Sequence, residues 1–291
     1  MNKPPFDARP ALPSSANPAL NRRGFLVTSL ALGFAAAARP VLAQAIATSS
    51  DGLIAGEVQV PVAGGWMPAY QAYPATGGPF PTVVVIQEIF GVHEYIKDVC
   101  RRLARLGYYA IAGEMYARQG DVSKLTDINT IIGTVVSKVP DDQVNADLDS
   151  LVEFAHAGGN ADTTRLGVTG FCWGGRATWL YAAHNPAVKA AVAWYGLLAP
   201  PMWNPKAVSV LHEAPKLKAP VLGLFGEKDG FISSADIATL KTKLRGGASE
   251  VVVYPGVQHG FHADYRPSYD RAAAEDGWRR LQDWFKAHGV V

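Results

Sequence analysis

The chain has 291 residues, a formal net charge of +2, 48% hydrophobic residues and two cysteines, Cys100 and Cys172. The near-even charge balance, with no Lys/Arg cluster interleaved with aromatics, argues against a nucleic-acid-binding protein. Two cysteines cannot make a disulfide-dense scaffold, and no Cys/His spacing fits structural zinc.

The front of the chain differs from the rest. Asn21-Arg22-Arg23-Gly24-Phe25-Leu26 opens an apolar run over residues 25–38, interrupted by Thr28 and Ser29, and Val41-Leu42-Ala43 follows. Twin arginines, a short apolar region and small residues before a cleavage point describe a twin-arginine signal peptide over residues 1–43. The run is shorter than the ~20 residues a membrane span needs. An uncleaved anchor or a chance Arg-Arg pair is the alternative. The expectation is cleavage after Ala43 and a periplasmic protein with no membrane attachment. Residues 1–43 carry +4, so residues 44–291 carry −2. That remainder suits one domain, expected as a monomer, with seven tryptophans in the chain to fill its core.

From residue 57 onward, strands and helices alternate. Segments 57–62 and 67–73 read as a hairpin around Ala63-Gly64-Gly65. Segment 82–87 is continuously apolar, as in a strand buried on both faces. Helical periodicity covers 92–106 and stops at Gly107. A strand over 108–112 follows, then an amphipathic helix over 141–156, a strand over 165–169 and a helix over 174–184. Strands at 189–195 and 221–225, a helix at 233–244, a strand at 250–254 and a helix at 268–288 complete the pattern. Such alternation predicts an α/β fold: a mostly parallel, eight-stranded sheet with helices on both faces. Segments 117–140 and 199–205 are left for a lid or substrate wall.

The most informative segment is Gly170-Phe171-Cys172-Trp173-Gly174-Gly175, directly after the 165–169 strand. A strand, a Gly-x-nucleophile-x-Gly turn and a helix start make the nucleophile elbow of α/β-hydrolases, here with a thiol. Glycines are needed because the turn is strained and its flanks pack too closely for a side chain. The sulfur sits at a helix N-terminus, which favours a thiolate. A buried, inert cysteine is the competing reading. Chain order argues against it, since the acid should follow the nucleophile and the histidine should follow the acid. Asp229 and His259 each fall just past a predicted strand, where open α/β sheets place their sites. Glu227 competes with Asp229, and His262 with His259. Asp229 is preferred because it lies beyond the strand's lip, and His259 because it comes first after its strand. Cys100 falls in a helical pattern, and the elbow needs Cys172 unpaired.

An acyl-transfer site needs two preorganised N–H donors for the oxyanion. The amide of Trp173 follows the nucleophile, and the loop after the 82–87 strand supplies Ile89. Glu88 ends an apolar strand, where burial is expected to raise its pKa. It is a candidate acid/base beside the thiol, or else a salt-bridged or capping residue.

Gln87-Glu88-Ile89-Phe90-Gly91, Tyr116-Ala117-Arg118, the elbow, Gly226-Glu227-Lys228-Asp229 and Tyr254-Pro255-Gly256-Val257-Gln258-His259-Gly260-Phe261 together resemble the dienelactone hydrolases, or carboxymethylenebutenolidases, over roughly residues 52–290. The resemblance implies a Cys172-Asp229-His259 triad and a Glu88 that helps activate the thiol when substrate arrives. It implies no metal or organic cofactor, and a cyclic enol lactone bearing a carboxylate as substrate. Arg118 matches one of the family's carboxylate-holding arginines. The second should lie four residues past the histidine, where this chain has Ala263; Arg266 could take its place from another backbone position. The export leader is a further departure, since the well-known members are cytoplasmic. The expectation is thus a cysteine hydrolase forming an acyl-enzyme on Cys172 with an ester or lactone. Its rivals are a general carboxylesterase or thioesterase on the same triad, and a binding protein that keeps the fold without catalysis.

Overall fold

The computed structural model describes residues 46–291, so the expected leader lies outside the described residues. Eight strands form one sheet in the order β1-β2-β4-β3-β5-β6-β7-β8. They are β1 (Leu53–Val62), β2 (Gly65–Pro74), β3 (Phe80–Ile86), β4 (Tyr109–Gly113), β5 (Ala161–Phe171), β6 (Val188–Trp194), β7 (Val221–Gly226) and β8 (Glu250–Tyr254). The helices are α1 (Glu94–Arg105), α2 (Ile128–Thr134), α3 (Asp141–Ala157), α4 (Trp173–His184), α5 (Val210–Glu213), α6 (Ser234–Lys243) and α7 (Arg271–Ala287).

The β1–β2 hairpin pairs in register from Leu53↔Pro74 to Val62↔Gly65. Its tight turn needs positive φ, which Gly64 supplies at +84°. β2 meets β4 antiparallel, and every later pairing is parallel. β3 is buried along nearly its whole length because helices cover both faces. α3 and α4 pack on one face, with Trp179 of α4 over Gly223 of β7. On the other, Gly277 of α7 lies against Trp194 and Leu224, and Tyr95 of α1 packs on Phe171.

The sheet's registers bring functional segments together. Ile86 pairs with Gly170, Phe171 with Trp194, Trp194 with Leu224, and Gly226 with Tyr254. The C-terminal ends of β3, β5, β6, β7 and β8 therefore lie side by side, and so do the loops that leave them.

Several boundaries differ from expectation. β5 begins at Ala161 and runs to Phe171, absorbing an irregularity at Leu166/Gly167. It delivers the chain into the elbow without a break. α7 starts at Arg271 because the Asp270 side chain caps it by accepting from the amide of Ala273. Segment 117–140 holds α2, capped by Asp127 accepting from Thr130, with Ile128 and Ile131 buried. α5 follows the 199–205 loop. Both helices are too short for a periodic signal.

Candidate active site

Cys172 occupies φ 56°, ψ −112°, a strained conformation for a residue with a side chain. Two hydrogen bonds hold it there: its amide donates to Trp194 O at 3.0 Å, and its carbonyl accepts from the Arg176 amide at 3.1 Å. A Cβ on Gly170 would strike the Gly174 carbonyl, and one on Gly174 would strike the carbonyls of Ile86 and Gln87. The elbow thus fits only as glycine at both flanks. Arg176, one turn on, forks onto Asp141 at 2.7 and 2.8 Å and fixes α4 to the start of α3.

Two neighbouring loops bring the partners. Asp229 Oδ2 lies 2.8 Å from His259 Nδ1, and Asp229 Oδ1 accepts from the Phe231 amide at 2.9 Å. Both side chains are buried. Burial alone would favour a neutral imidazole. The Asp229 carboxylate and the hydrogen-bonded Cys172 sulfur outweigh it and push His259 up to about 10. The imidazole ring is walled by Tyr195 and Phe231, at 5.0 and 4.8 Å between ring centres.

The competing residues are engaged elsewhere. Glu227 accepts from the Gly256 amide at 2.8 Å. His262 is buried among Phe171, Trp194 and Trp278, with Nδ1 2.5 Å from the Tyr95 hydroxyl. Burial and nearby Arg102 drive it down to about 3, so it stays neutral. Cys100 is a separate buried thiol with no disulfide.

Glu88 corrects a sequence expectation. Its side chain is fully buried, and burial does favour the protonated form. Yet Arg266 Nη2 lies 3.0 Å from Oε1, the Tyr265 hydroxyl donates to Oε2 at 2.6 Å, and His93 Nε2 stands 3.6 Å away. Together these hold the carboxyl down at about 2, so it is ionised. Ala263 is buried and brings no charge, while Arg266 reaches Glu88 from three residues further along and lies over Phe90 and Tyr265.

Arg118 is not tied into this cluster. It pairs with Asp147 of α3 and donates to Ala63 O at 3.2 Å, joining the β1–β2 turn to that helix. The amide of Trp173 is the first of α4 and has no acceptor one turn earlier. Ile89 is buried at the turn after β3, and among the described residues its amide donates to no backbone carbonyl. Among those residues, too, no group of three or more His, Cys, Asp or Glu could hold a metal ion.

Three residues went unnoticed in the sequence: Tyr265, His93 and Tyr195. Tyr195 follows β6 with φ 39°, fully buried, and among the described residues its hydroxyl has no hydrogen-bond partner. Its place at the C-terminal end of the 189–195 strand expected from the sequence was the available signal.

Residues 67–289 match the dienelactone hydrolase family. The chain belongs to the dienelactone hydrolase family. A Methylorubrum extorquens protein named "Putative carboxymethylenebutenolidase" is 60% identical over 280 residues, covering 95% of this chain and 96% of the relative. An Escherichia coli protein of the same name is 49% identical over 267 residues, covering 91% and 98%. The crystal structure of a "Putative Dienelactone Hydrolase" from Klebsiella pneumoniae superposes with a TM-score of 0.78 at 52% identity, covering 80% of this chain and 98% of that one. As a member of the dienelactone hydrolase family the chain is a hydrolase with the α/β-hydrolase fold, built on the mostly parallel, eight-stranded sheet that the sequence predicts.

Proposed function

We propose that the protein is an exported, cysteine-dependent hydrolase of esters or lactones, working through an acyl-enzyme on Cys172. The observation that carries this reading is the elbow sulfur facing a buried His259–Asp229 pair at the aligned strand ends. His259 takes the Cys172 thiol proton. The sulfur attacks the carbonyl carbon, and the oxyanion forms against the amides of Trp173 and Ile89. The tetrahedral intermediate collapses, the C–O bond breaks, and His259 returns its proton to the leaving oxygen. Water then loses a proton to His259 and attacks the thioester, and the released sulfur regains that proton. Asp229 holds the imidazole tautomer throughout. Glu88 assists when a substrate carboxylate competes for Arg266 and Tyr265 and loosens their hold on it.

A small panel tests this: a cyclic enol lactone carrying a carboxylate, a neutral ester of similar size and an acyl thioester. Lactone turnover with burst-phase acylation of Cys172 supports the reading. Efficient turnover of the thioester alone would reassign the enzyme as a thioesterase. Labelling of Cys172 with no turnover of any of them would leave a binding protein.

Arg118 and Arg266 are separated by their partners. The Arg118–Asp147 pair joins a partly exposed guanidinium to a buried carboxylate and lies outside the Glu88 cluster. Arg118→Ala is therefore expected to lower turnover of acidic and neutral substrates alike, by less than about threefold. A selective defect on the acidic substrate, seen in steady-state kinetics, would return Arg118 to the binding site.

Export is the other part of the proposal, supported by the twin arginines and the short apolar run at residues 22–38. Arg22→Lys with Arg23→Lys is expected to retain uncut protein in the cytoplasm. Unchanged mature protein in the periplasmic fraction would end this claim.

A further inference from the structure

β4 ends at Gly113, and the next residue is Glu114, whose amide donates to Pro68 O of β2 at 2.8 Å. Its side chain turns toward the loop after β3. Glu114 Oε1 accepts from the Val92 amide at 2.8 Å. That loop is a tight turn closed by an antiparallel bridge between Glu88 and Gly91. Gly91 has φ +78°, and a Cβ there would sit 2.8 Å from Glu114 Oε2 and 3.0 Å from Val122. One carboxylate oxygen thus grips the turn's last amide while the other lies against its glycine. Ile89 and Glu88 occupy the same turn.

We propose that Glu114 is a positioning residue that sets the height of the 88–92 turn, and with it the Ile89 amide, over the Cys172 sulfur. This rests on the reading of Ile89 as an oxyanion donor. The anchor is rooted in the sheet and grips the turn's last residue, while the Tyr116 hydroxyl donates to Glu88 O at 3.3 Å at its first. Glu114 also borders a cavity of about 520 Å³ with Tyr70 of β2, His93 and Lys97 at the start of α1, Asp121, and Glu57 of β1. These are the charged and titratable groups that face it. Burial raises Glu114 to about 7; the Val92 amide and Lys97 oppose that rise, and Asp121 and Glu57 add to it. The carboxylate is therefore ionised, and grips the amide most firmly, above about 7.

The test compares Glu114→Leu, Glu114→Gln and Gly91→Ala in the full-length protein. A donor displaced by about 1 Å loses roughly 10²-fold in rate. Glu114→Leu is expected to lower kcat on a neutral ester by 10- to 100-fold with KM within about twofold. Alkylation of Cys172 by iodoacetamide needs the thiolate but no oxyanion hole, so its rate should stay near that of the wild type. Glu114→Gln keeps an acceptor oxygen and should recover most of the loss. The wild type is expected to show a kcat inflection near pH 7, and Glu114→Gln to lack it. Gly91→Ala, which forces the turn off the carboxylate, should reproduce the kcat defect. The proposal is overturned if Glu114→Leu leaves kcat unchanged, if turnover and alkylation fall together, or if Glu114→Gln keeps the wild-type pH profile. A wild-type Cys172 that resists alkylation would instead overturn the nucleophile assignment, which the Glu114 kinetics do not address.

Discussion

Cys172→Ala is expected to abolish turnover while leaving the fold intact. Removing a triad nucleophile typically costs several orders of magnitude in kcat, because the remaining groups act as a unit with it. The side chain is small and buried, and the strained backbone is held by the amide bond to Trp194 O and the bare flanks at Gly170 and Gly174, none of which the substitution removes. Steady-state hydrolysis of an aryl ester beside a thermal melt would decide the matter; residual activity above a few per cent would remove Cys172 from the mechanism. Cys172→Ser is the sharper case. His259, raised to about 10, carries its proton across the neutral range. An imidazolium beside a thiolate is a competent pair. An imidazolium beside a serine hydroxyl has no base to take the alcohol's proton. The serine variant loses the push that the sulfur gives His259 but keeps that of Asp229. Its remaining activity should therefore keep rising with pH above 7, where the wild type has passed the Glu114 inflection and levels off.

The second large effect belongs to Arg266. Its guanidinium is buried and pairs with a fully buried carboxylate. Arg266→Ala strands that charge, and breaking such a pair costs about 3–5 kcal/mol. The pH dependence gives the sign. In the folded wild type Glu88 is lowered from 4.5 to about 2. Its stabilising contribution is complete above pH 4.5 and fades as pH falls through about 2. Without Arg266, burial dominates and pushes the carboxyl upward, so the variant is penalised wherever Glu88 must ionise. The gap in Tm between wild type and Arg266→Ala should be widest near neutral pH and should narrow below about pH 4.5. A gap that does not change with pH would mean that Arg266 contributes packing and not charge. On substrates, the variant should lose at least 10-fold more activity toward the acidic lactone than toward a neutral ester, since one charge-assisted contact is worth ~1.5–3 kcal/mol.

The sheet and the elbow were legible because their signals are local. β3 is an unbroken apolar run, and the elbow's glycines mark close approaches within a few residues of Cys172. Glu88 was misjudged because its charge state depends on Arg266, 178 residues away. Burial of a carboxylate can be guessed from an apolar strand, but the guanidinium that keeps it ionised cannot. Arg118 matched a motif, while its partner Asp147 sat unremarked on α3. α2 and α5 were missed because helices of seven and four residues show no repeat of the helical period.

The parallel crossovers have a consequence for how the molecule matures. The sulfur and its flanking glycines lie just past the middle of the chain, but Asp229, His259 and Arg266 all come later, on loops that reach the sulfur only once β7, β8 and the segment before α7 are in place. Under the proposed mechanism, the thiol of a growing chain lacks the imidazole that would activate it. The site can be complete only once the C-terminal third has added β7 and β8 to the sheet. Chains truncated before residue 259 should carry the elbow and none of its chemistry.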